Sequence, residues 1–295
     1  MSFVHRSSGQ ARGQQGALGV PAMPTNAQIE AYQRDGFAFP MFAMSAGEAL
    51  SYRHRLEATE AAHGGPLKSN TRQKVHLLLT WAAELVRHPA ILDQVERIIG
   101  PDILCWNTNL FIKEPHDPAF VSWHQDSTYW GLDPADVVTA WLAISDAPIE
   151  SGAMRFLGGS HTEQLSHHDT FDADNLLSRG QVADIDIDES RAVDVPLKAG
   201  EFSLHHIRLV HGSKPNTTGD RRIGLAIRYL PPHVRPEKSA NRATLVRGTD
   251  RFGHFHPEPA PKADFDTEAV NAHAQSMNSH IGAIYQGTGI TAARD

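Results

Sequence analysis

The chain has 295 residues, 40% of them hydrophobic, with 27 Lys+Arg against 34 Asp+Glu and a formal net charge of −7. That supplies enough apolar sequence for a packed core, and it argues against general nucleic-acid affinity, which rests on clustered positive charge, though not against a basic pocket for a small anion. A single cysteine, Cys105, excludes an intramolecular disulfide; its place in the apolar run Ile103-Leu104-Cys105-Trp106 marks a small buried residue and fits a reducing, cytoplasmic location.

Residues 1–24 are rich in Gly, Gln, Ser and Ala and lack the apolar run of a signal peptide. They are expected to form a flexible tail ahead of a single domain over 25–295. No apolar stretch of about 18 residues occurs, so no membrane helix is expected. Thr25-Asn26-Ala27-Gln28 has the spacing of a capping box and predicts a helix to about Arg34, ended by Gly36. Residues 37–42 read as extended. Ser45-Ala46-Gly47-Glu48 repeats the capping spacing and opens a helix carrying Leu50, Tyr52 and Leu56, which stops near Gly64-Gly65. A third helix is expected over 77–86. Pro89 starts a fourth at its first position, with Ile91, Leu92, Val95, Ile98 and Ile99 as its apolar stripe and Gly100 as its end.

From residue 103 the pattern changes. Short apolar runs broken by turn residues occupy 103–112, 121–126, 137–144, 153–157, 192–197, 201–206, 209–212 and 223–230, the signature of a β-barrel or sandwich. Residues 170–190 are acidic and poorly patterned, an insertion or lid. A last helix is expected over 267–284. The fold class is therefore mainly β with flanking α: a jelly roll over about 103–232, buttressed by N-terminal helices.

Three positions carry the chemistry. His124 and Asp126 stand at i and i+2 in a segment that reads as strand, where alternation puts both side chains on one face. His211 ends a separate apolar segment, with His205 and His206 as competitors for the same role. Two imidazoles and one carboxylate are the ligand set of a non-haem Fe(II) site with open positions. Two of those positions suit the keto and carboxylate oxygens of a 2-oxo acid, and the third suits O2. Decarboxylation of the 2-oxo acid to succinate then equips the metal to hydroxylate an unactivated C–H bond, the protein supplying orientation and a dry pocket. An alanine or glycine at position 126 would leave room for a halide; Asp126 points to hydroxylation. Arg222 follows on the next strand. If buried, it needs an anionic partner, and the distal carboxylate of the 2-oxo acid is one; the plain alternative is a surface arginine beside Arg221.

His167-His168-Asp169 and His161-Thr162-Glu163 repeat the His-x-acid spacing, but the first opens a polar loop with nothing to hold a coordination geometry. Candidate substrate residues are Lys74 and His76 before the third helix, Lys113 on the strand preceding the motif, Tyr129 and Trp130 just after it, Arg228 on the same strand face as Arg222, and Arg247 downstream.

Trp123-His124-Gln125-Asp126, Ala153-Met154-Arg155-Phe156-Leu157-Gly158-Gly159-Ser160-His161, and His211-Gly212-Ser213 through Arg222 resemble the phytanoyl-CoA dioxygenase family over roughly residues 26–233. The resemblance implies a double-stranded β-helix that uses Fe(II), 2-oxoglutarate and O2. It implies His124, Asp126 and His211 as iron ligands, and Arg222 with Ser213 on the distal carboxylate. Trp141 then lines the co-substrate pocket, with Gln125 and Asn107 as further polar positions. Lys113-Glu114-Pro115 and Tyr129-Trp130-Gly131-Leu132 are similar to a bacterial subgroup in which some members hydroxylate small phosphonates such as 2-aminoethylphosphonate. Two other readings compete: a zinc hydrolase on the same triad, which leaves Arg222 unexplained, and a non-catalytic 2-oxo acid sensor.

Overall fold

The computed structural model describes residues 26–238 and 241–284. The tail expected over 1–24 lies outside them. Helix α1 (Asn26–Asp35) leads into strand β1 (Phe37–Phe42) and α2 (Ala46–Ala62). The Ser45 hydroxyl accepts the Glu48 amide at 3.2 Å, half of the expected capping box. Short α3 (Ser69–Arg72) follows. The helix expected over 77–86 is broken into a 3-10 turn, Val75–Leu77, and α4 (Thr80–Leu85). Its start is fixed from 184 residues away: the Asp264 carboxylate accepts both the amide and the hydroxyl of Thr80 at 2.7 Å, a cap that no local pattern reveals. Helix α5 (Pro89–Ile99) has Pro89 at its start and closes on Gly100 at φ +88, as expected from the sequence.

The strand-rich body runs through β2 (Ile103–Lys113), β3 (Val121–His124), a one-turn α6 (Ser127–Trp130), β4 (Leu132–Asp133), β5 (Val138–Ala143) and β6 (Met154–Leu157). It continues through β7 (His167–Asp169), β8 (Gln181–Ala183), β9 (Ala192–Val195), β10 (Glu201–His206), β11 (His211–Ser213) and β12 (Arg222–Leu230). Short β13 (Arg235–Pro236), β14 (Asn241–Arg247), β15 (Phe255–Pro257) and α7 (Thr267–Ile284) complete it. Seven strands form one sheet in the order β1-β10-β5-β12-β2-β14-β15, and four form a facing sheet in the order β3-β11-β6-β9. These are the two sheets of a jelly roll.

Strand β12 shows how the sheet divides its side chains. Ile223, Leu225, Ile227 and Tyr229 join the large core shared with Leu56, Trp81, Leu85, Ile91 and Val95 of the helical layer. The alternate residue Ala226 joins Trp141, Met154 and Phe156 between the two sheets. Both faces are covered, so all nine residues are buried. Each fully buried Ile or Leu contributes roughly 1.5–3 kcal/mol, and that anchoring holds the inward face of β12, where the two arginines stand.

The segment expected to be an insertion or lid over 170–190 carries the returning strand of a hairpin, β8, and the connection from β7 just before it. Strands β7 and β8 pair, the Arg179 guanidinium holds Asp169, and Leu177 and Gln181 are buried.

Candidate metal and co-substrate site

His124 and His211 face each other as register partners on β3 and β11, and neighbouring side chains of directly opposed antiparallel residues meet. Their ring centroids are 4.2 Å apart. Strand β3 ends at His124, so Asp126 does not share its face by strand alternation as expected. It stands in the turn into α6, in right-handed helical backbone, and the turn swings its carboxylate back until Oδ1 lies 3.4 Å from His124 Nε2. One ligand atom from each of His124, Asp126 and His211 lies within 4.8 Å of the others, the one such His/Cys/Asp/Glu group among the described residues.

The protonation states suit a cation. The Nδ1 atoms of His124 and His211 lie 2.9 Å from the Ser122 and Leu209 carbonyls. Donating there leaves both Nε2 lone pairs to a ligand, the tautomer a metal needs. Burial, and next His124, push the His211 imidazole down to about 4, so it is neutral. Burial alone would raise the Asp126 carboxyl, but the His124 imidazole beside it and the Arg228 charge hold it well below the usual carboxylate range. Two imidazole nitrogens and one ionised carboxylate oxygen in this spacing fit ferrous iron.

Gln125 is the staple of the turn rather than a wall of the pocket. Its side-chain nitrogen donates to the Glu163 and Arg208 carbonyls at 2.8 and 2.6 Å, and its oxygen accepts from Leu165 and Gln164. Its own amide donates to His167 Nε2 at 2.8 Å. His167 thus buttresses the turn, while Asp169 accepts from Tyr129 and Arg179, so this His-x-Asp repeat is structural. His161 lies against the Gln33 carbonyl. His206 accepts the Arg208 amide, and burial followed by His161 lowers it to about 4. His205 is held well below its ordinary value by burial and then His211, and it packs 4.8 Å from the His211 ring, inside the cavity but outside the three-residue group.

The cavity beside this group is lined by Phe111, Thr139, Trp141, His205, Ser213, Arg222 and Arg228, among others. Arg222 is 1% exposed, stacked 5.2 Å over Trp141, and its Nε and Nη2 have no hydrogen-bond partner. Burial lowers its pKa to about 10, so it remains charged at neutral pH. Thr139 Oγ1, His205 Nδ1, Asp126 Oδ2 and Arg228 Nε are also buried and unpartnered. Buried polar atoms are seldom left unsatisfied; here they gather round one cavity. It measures about 30 Å³, the scale of one water, so a longer ligand would require the lining side chains to part.

Ser213 Oγ lies 2.7 Å from Lys113 Nζ. Accepting from that amine leaves the serine's own hydrogen free to point at an oxyanion. Lys113, expected to read substrate, is therefore behind the cavity: fully buried, it donates to Ser213 and to the Lys214 carbonyl. Lys74 and His76 are likewise removed from substrate. Lys74 donates to Glu258 and the Trp106 carbonyl, both at 2.7 Å, and His76 lies against Thr108 and Glu258. Arg247 pairs with Asp93 and Glu96 of α5 on the outer surface. Tyr129 lies under Arg179 with its hydroxyl on Asp169. Trp130, Asn107 and Arg228 do face a cavity, the outer one that adjoins Asp126. Thr139, Arg72, Gln73, Asn109 and Gln181 line the two cavities without having been singled out in the sequence. Thr139 had a signal, since it alternates with Trp141 on β5; the others are polar residues from three separate segments, 72–73, 109 and 181, with no pattern to join them.

The profile of the phytanoyl-CoA dioxygenase family matches residues 13–224. The chain belongs to that family. A Stutzerimonas stutzeri protein named "Probable alpha-ketoglutarate-dependent hypophosphite dioxygenase" is 31% identical over 165 residues, 55% of this chain and 57% of the relative. The human protein named "Phytanoyl-CoA dioxygenase, peroxisomal" is 30% identical over 154 residues, 50% of this chain and 46% of its own length. The chain thus spans about half the length of these curated relatives. Among solved structures, the apo form of the non-haem monooxygenase ThoJ superposes with a TM-score of 0.77 at 39% identity, covering 87% of this chain and 97% of that one. The chain therefore stands among the non-haem Fe(II)/2-oxoglutarate oxygenases, enzymes whose cofactors are ferrous iron and 2-oxoglutarate. No helix of the described residues is long and apolar enough to cross a membrane.

Proposed function

We propose that the protein uses Fe(II), 2-oxoglutarate and O2 to hydroxylate an unactivated C–H bond of a small polar or anionic metabolite, releasing succinate and CO2. His124 Nε2, Asp126 and His211 Nε2 would hold the iron. Arg222 and the Ser213 hydroxyl would take the distal carboxylate, with Trp141 as the wall behind it. Iron and 2-oxoglutarate, when bound, supply the oxygen activation. The chain supplies placement: two Nδ1 atoms tied to carbonyls fix the imidazoles, the Gln125 staple fixes the Asp126 turn, and Lys113 turns the serine hydrogen inward. The observation that carries this reading is the partnerless buried Arg222 guanidinium in the cavity of the His-Asp-His group. A zinc hydrolase gives that arginine no task.

A small phosphorus oxyanion such as a phosphonate is the specific substrate we put forward. The Stutzerimonas relative is named for one such oxyanion, and Arg228 stands at the cavity next to Asp126. Purified protein supplied with Fe(II), 2-oxoglutarate and O2 should release succinate, and Asp126→Ala should abolish the release. Full turnover by Asp126→Ala would refute the assignment, and 2-oxoglutarate binding with no succinate across a broad substrate panel would favour the sensor.

A further inference from the structure

The outer cavity, about 140 Å³, opens on Asp126 beneath the β7–β8 hairpin. A cavity of about 150 Å³ holds one benzene ring, so this one suits a compact molecule rather than a long acyl chain. Its charge is lopsided. Arg72 and Arg228 both line it, and Asp126 is its one acid. Arg72 has Glu60, Glu114 and Asp117 near it and donates to the Leu67 carbonyl, but iron on Asp126 would take up the one carboxylate beside Arg228.

Arg228 is the better placed of the two. It is 6% exposed and lies over the rings of Phe111 and Trp130 at 5.8 and 5.1 Å. Its Nη2 is 4.0 Å from Asp126 Oδ2, beyond hydrogen-bond reach, and its Nε has no partner. A buried guanidinium held between aromatic faces with unsatisfied donors is built for an oxyanion. The remaining polar wall is carboxamide and hydroxyl: Gln73, Asn109 and Gln181, whose Oε1 is buried without a partner, and the serines beside them. No second carboxylate lines the cavity, so an ammonium group would find no ion-pair partner beyond Asp126, only neutral acceptors such as Gln181 Oε1.

We infer that the prime substrate is a compact oxyanion anchored by Arg228 next to the metal, and that an amino group on it forms no ion pair and adds no affinity. This rests on the oxygenase reading and narrows it: the phosphonate or carboxylate end is read, and the amino end of an aminoalkylphosphonate is not.

Calorimetry on the nickel-loaded protein, which binds without turning over, tests this. The probes are 2-oxoglutarate first, then methylphosphonate, ethylphosphonate, propionate, 2-aminoethylphosphonate and ethylamine. Expected are binding of at least one oxyanion, no gain in affinity from the amino group of 2-aminoethylphosphonate over ethylphosphonate, and no binding of ethylamine. Arg228→Gln should weaken the best oxyanion tenfold or more, while nickel affinity changes by less than threefold; Arg228→Lys should recover part of the loss. Failure of all four oxyanions to bind, equal binding of ethylamine, or an Arg228→Gln effect confined to nickel would overturn the inference. The last result would make Arg228 a support for Asp126 alone. Failure of 2-oxoglutarate itself to bind would instead sink the oxygenase reading, so the two failures are distinct.

Discussion

Binding of 2-oxoglutarate should draw a proton onto Lys113. That lysine is fully buried, has no carboxylate partner, and donates only to the Ser213 hydroxyl and the Lys214 carbonyl. Burial, and next the Arg222 charge on the neighbouring strand, lower its pKa to about 6; Asp117 opposes them weakly. At pH 7.5 a group of that pKa is roughly 3% protonated. A carboxylate on Ser213 and Arg222 would bring a negative charge within about 5 Å of Nζ, worth about 3 kcal/mol at an effective dielectric of about 20, or a little over two pKa units. The lysine would then be about nine-tenths protonated, an uptake of about 0.9 proton per 2-oxoglutarate. Protonation favours the complex, so affinity should fall with rising pH, by up to tenfold per unit between about 6 and 8. Arg222 adds nothing to this window, being already charged below about 10. Calorimetry of nickel-loaded protein in two buffers of different ionisation enthalpy reads the uptake directly, with Lys113→Gln as the proton-silent control. Heats independent of buffer, with affinity flat from pH 6 to 9, would refute this placement of the carboxylate.

Arg222→Ala should weaken 2-oxoglutarate binding about 10- to 150-fold, the loss of a charge-assisted pair worth roughly 1.5–3 kcal/mol, while nickel affinity is unchanged; isothermal titration reads both. The same variant removes an unpaired buried charge, so the ligand-free protein should melt no lower than the parent. Gly224→Ala tests the stack from the other side. A Cβ at Gly224 would come within 1.9 Å of the Trp141 ring, so the ring must shift and Arg222 lose its platform. Weaker 2-oxoglutarate binding and an altered tryptophan emission are expected, and unchanged values of both would contradict the packing. Gln125→Leu strips the Asp126 turn of its partners and should cost about 2–4 kcal/mol by denaturant unfolding, with metal affinity falling alongside.

Local pattern made some of this legible. The strand series was readable because turn residues punctuate it, and Arg222 and Arg228 were placed on one face by alternation along β12, which the structure bears out. His124, Asp126 and His211 stood out because few residue types serve a ferrous ion. Even there the route differed: alternation does not carry Asp126, and a turn stapled by Gln125 to residues 38 and 83 positions away does. The charged residues were least legible. Lys74 meets Glu258 184 residues downstream, and Arg247 meets Glu96 151 residues upstream. A lysine satisfied in the core and a lysine facing substrate have the same sequence signature; only packing separates them. The outer cavity wall was hidden for a like reason, since Gln73, Asn109 and Gln181 are lone carboxamides on three different elements.

The most direct test is an anaerobic titration of the protein with Fe(II) and 2-oxoglutarate. One iron per chain and a weak visible charge-transfer band are expected, appearing only when both are present and lost in His211→Ala. A band that survives in His211→Ala, or iron that binds without ever producing one, would contradict the site.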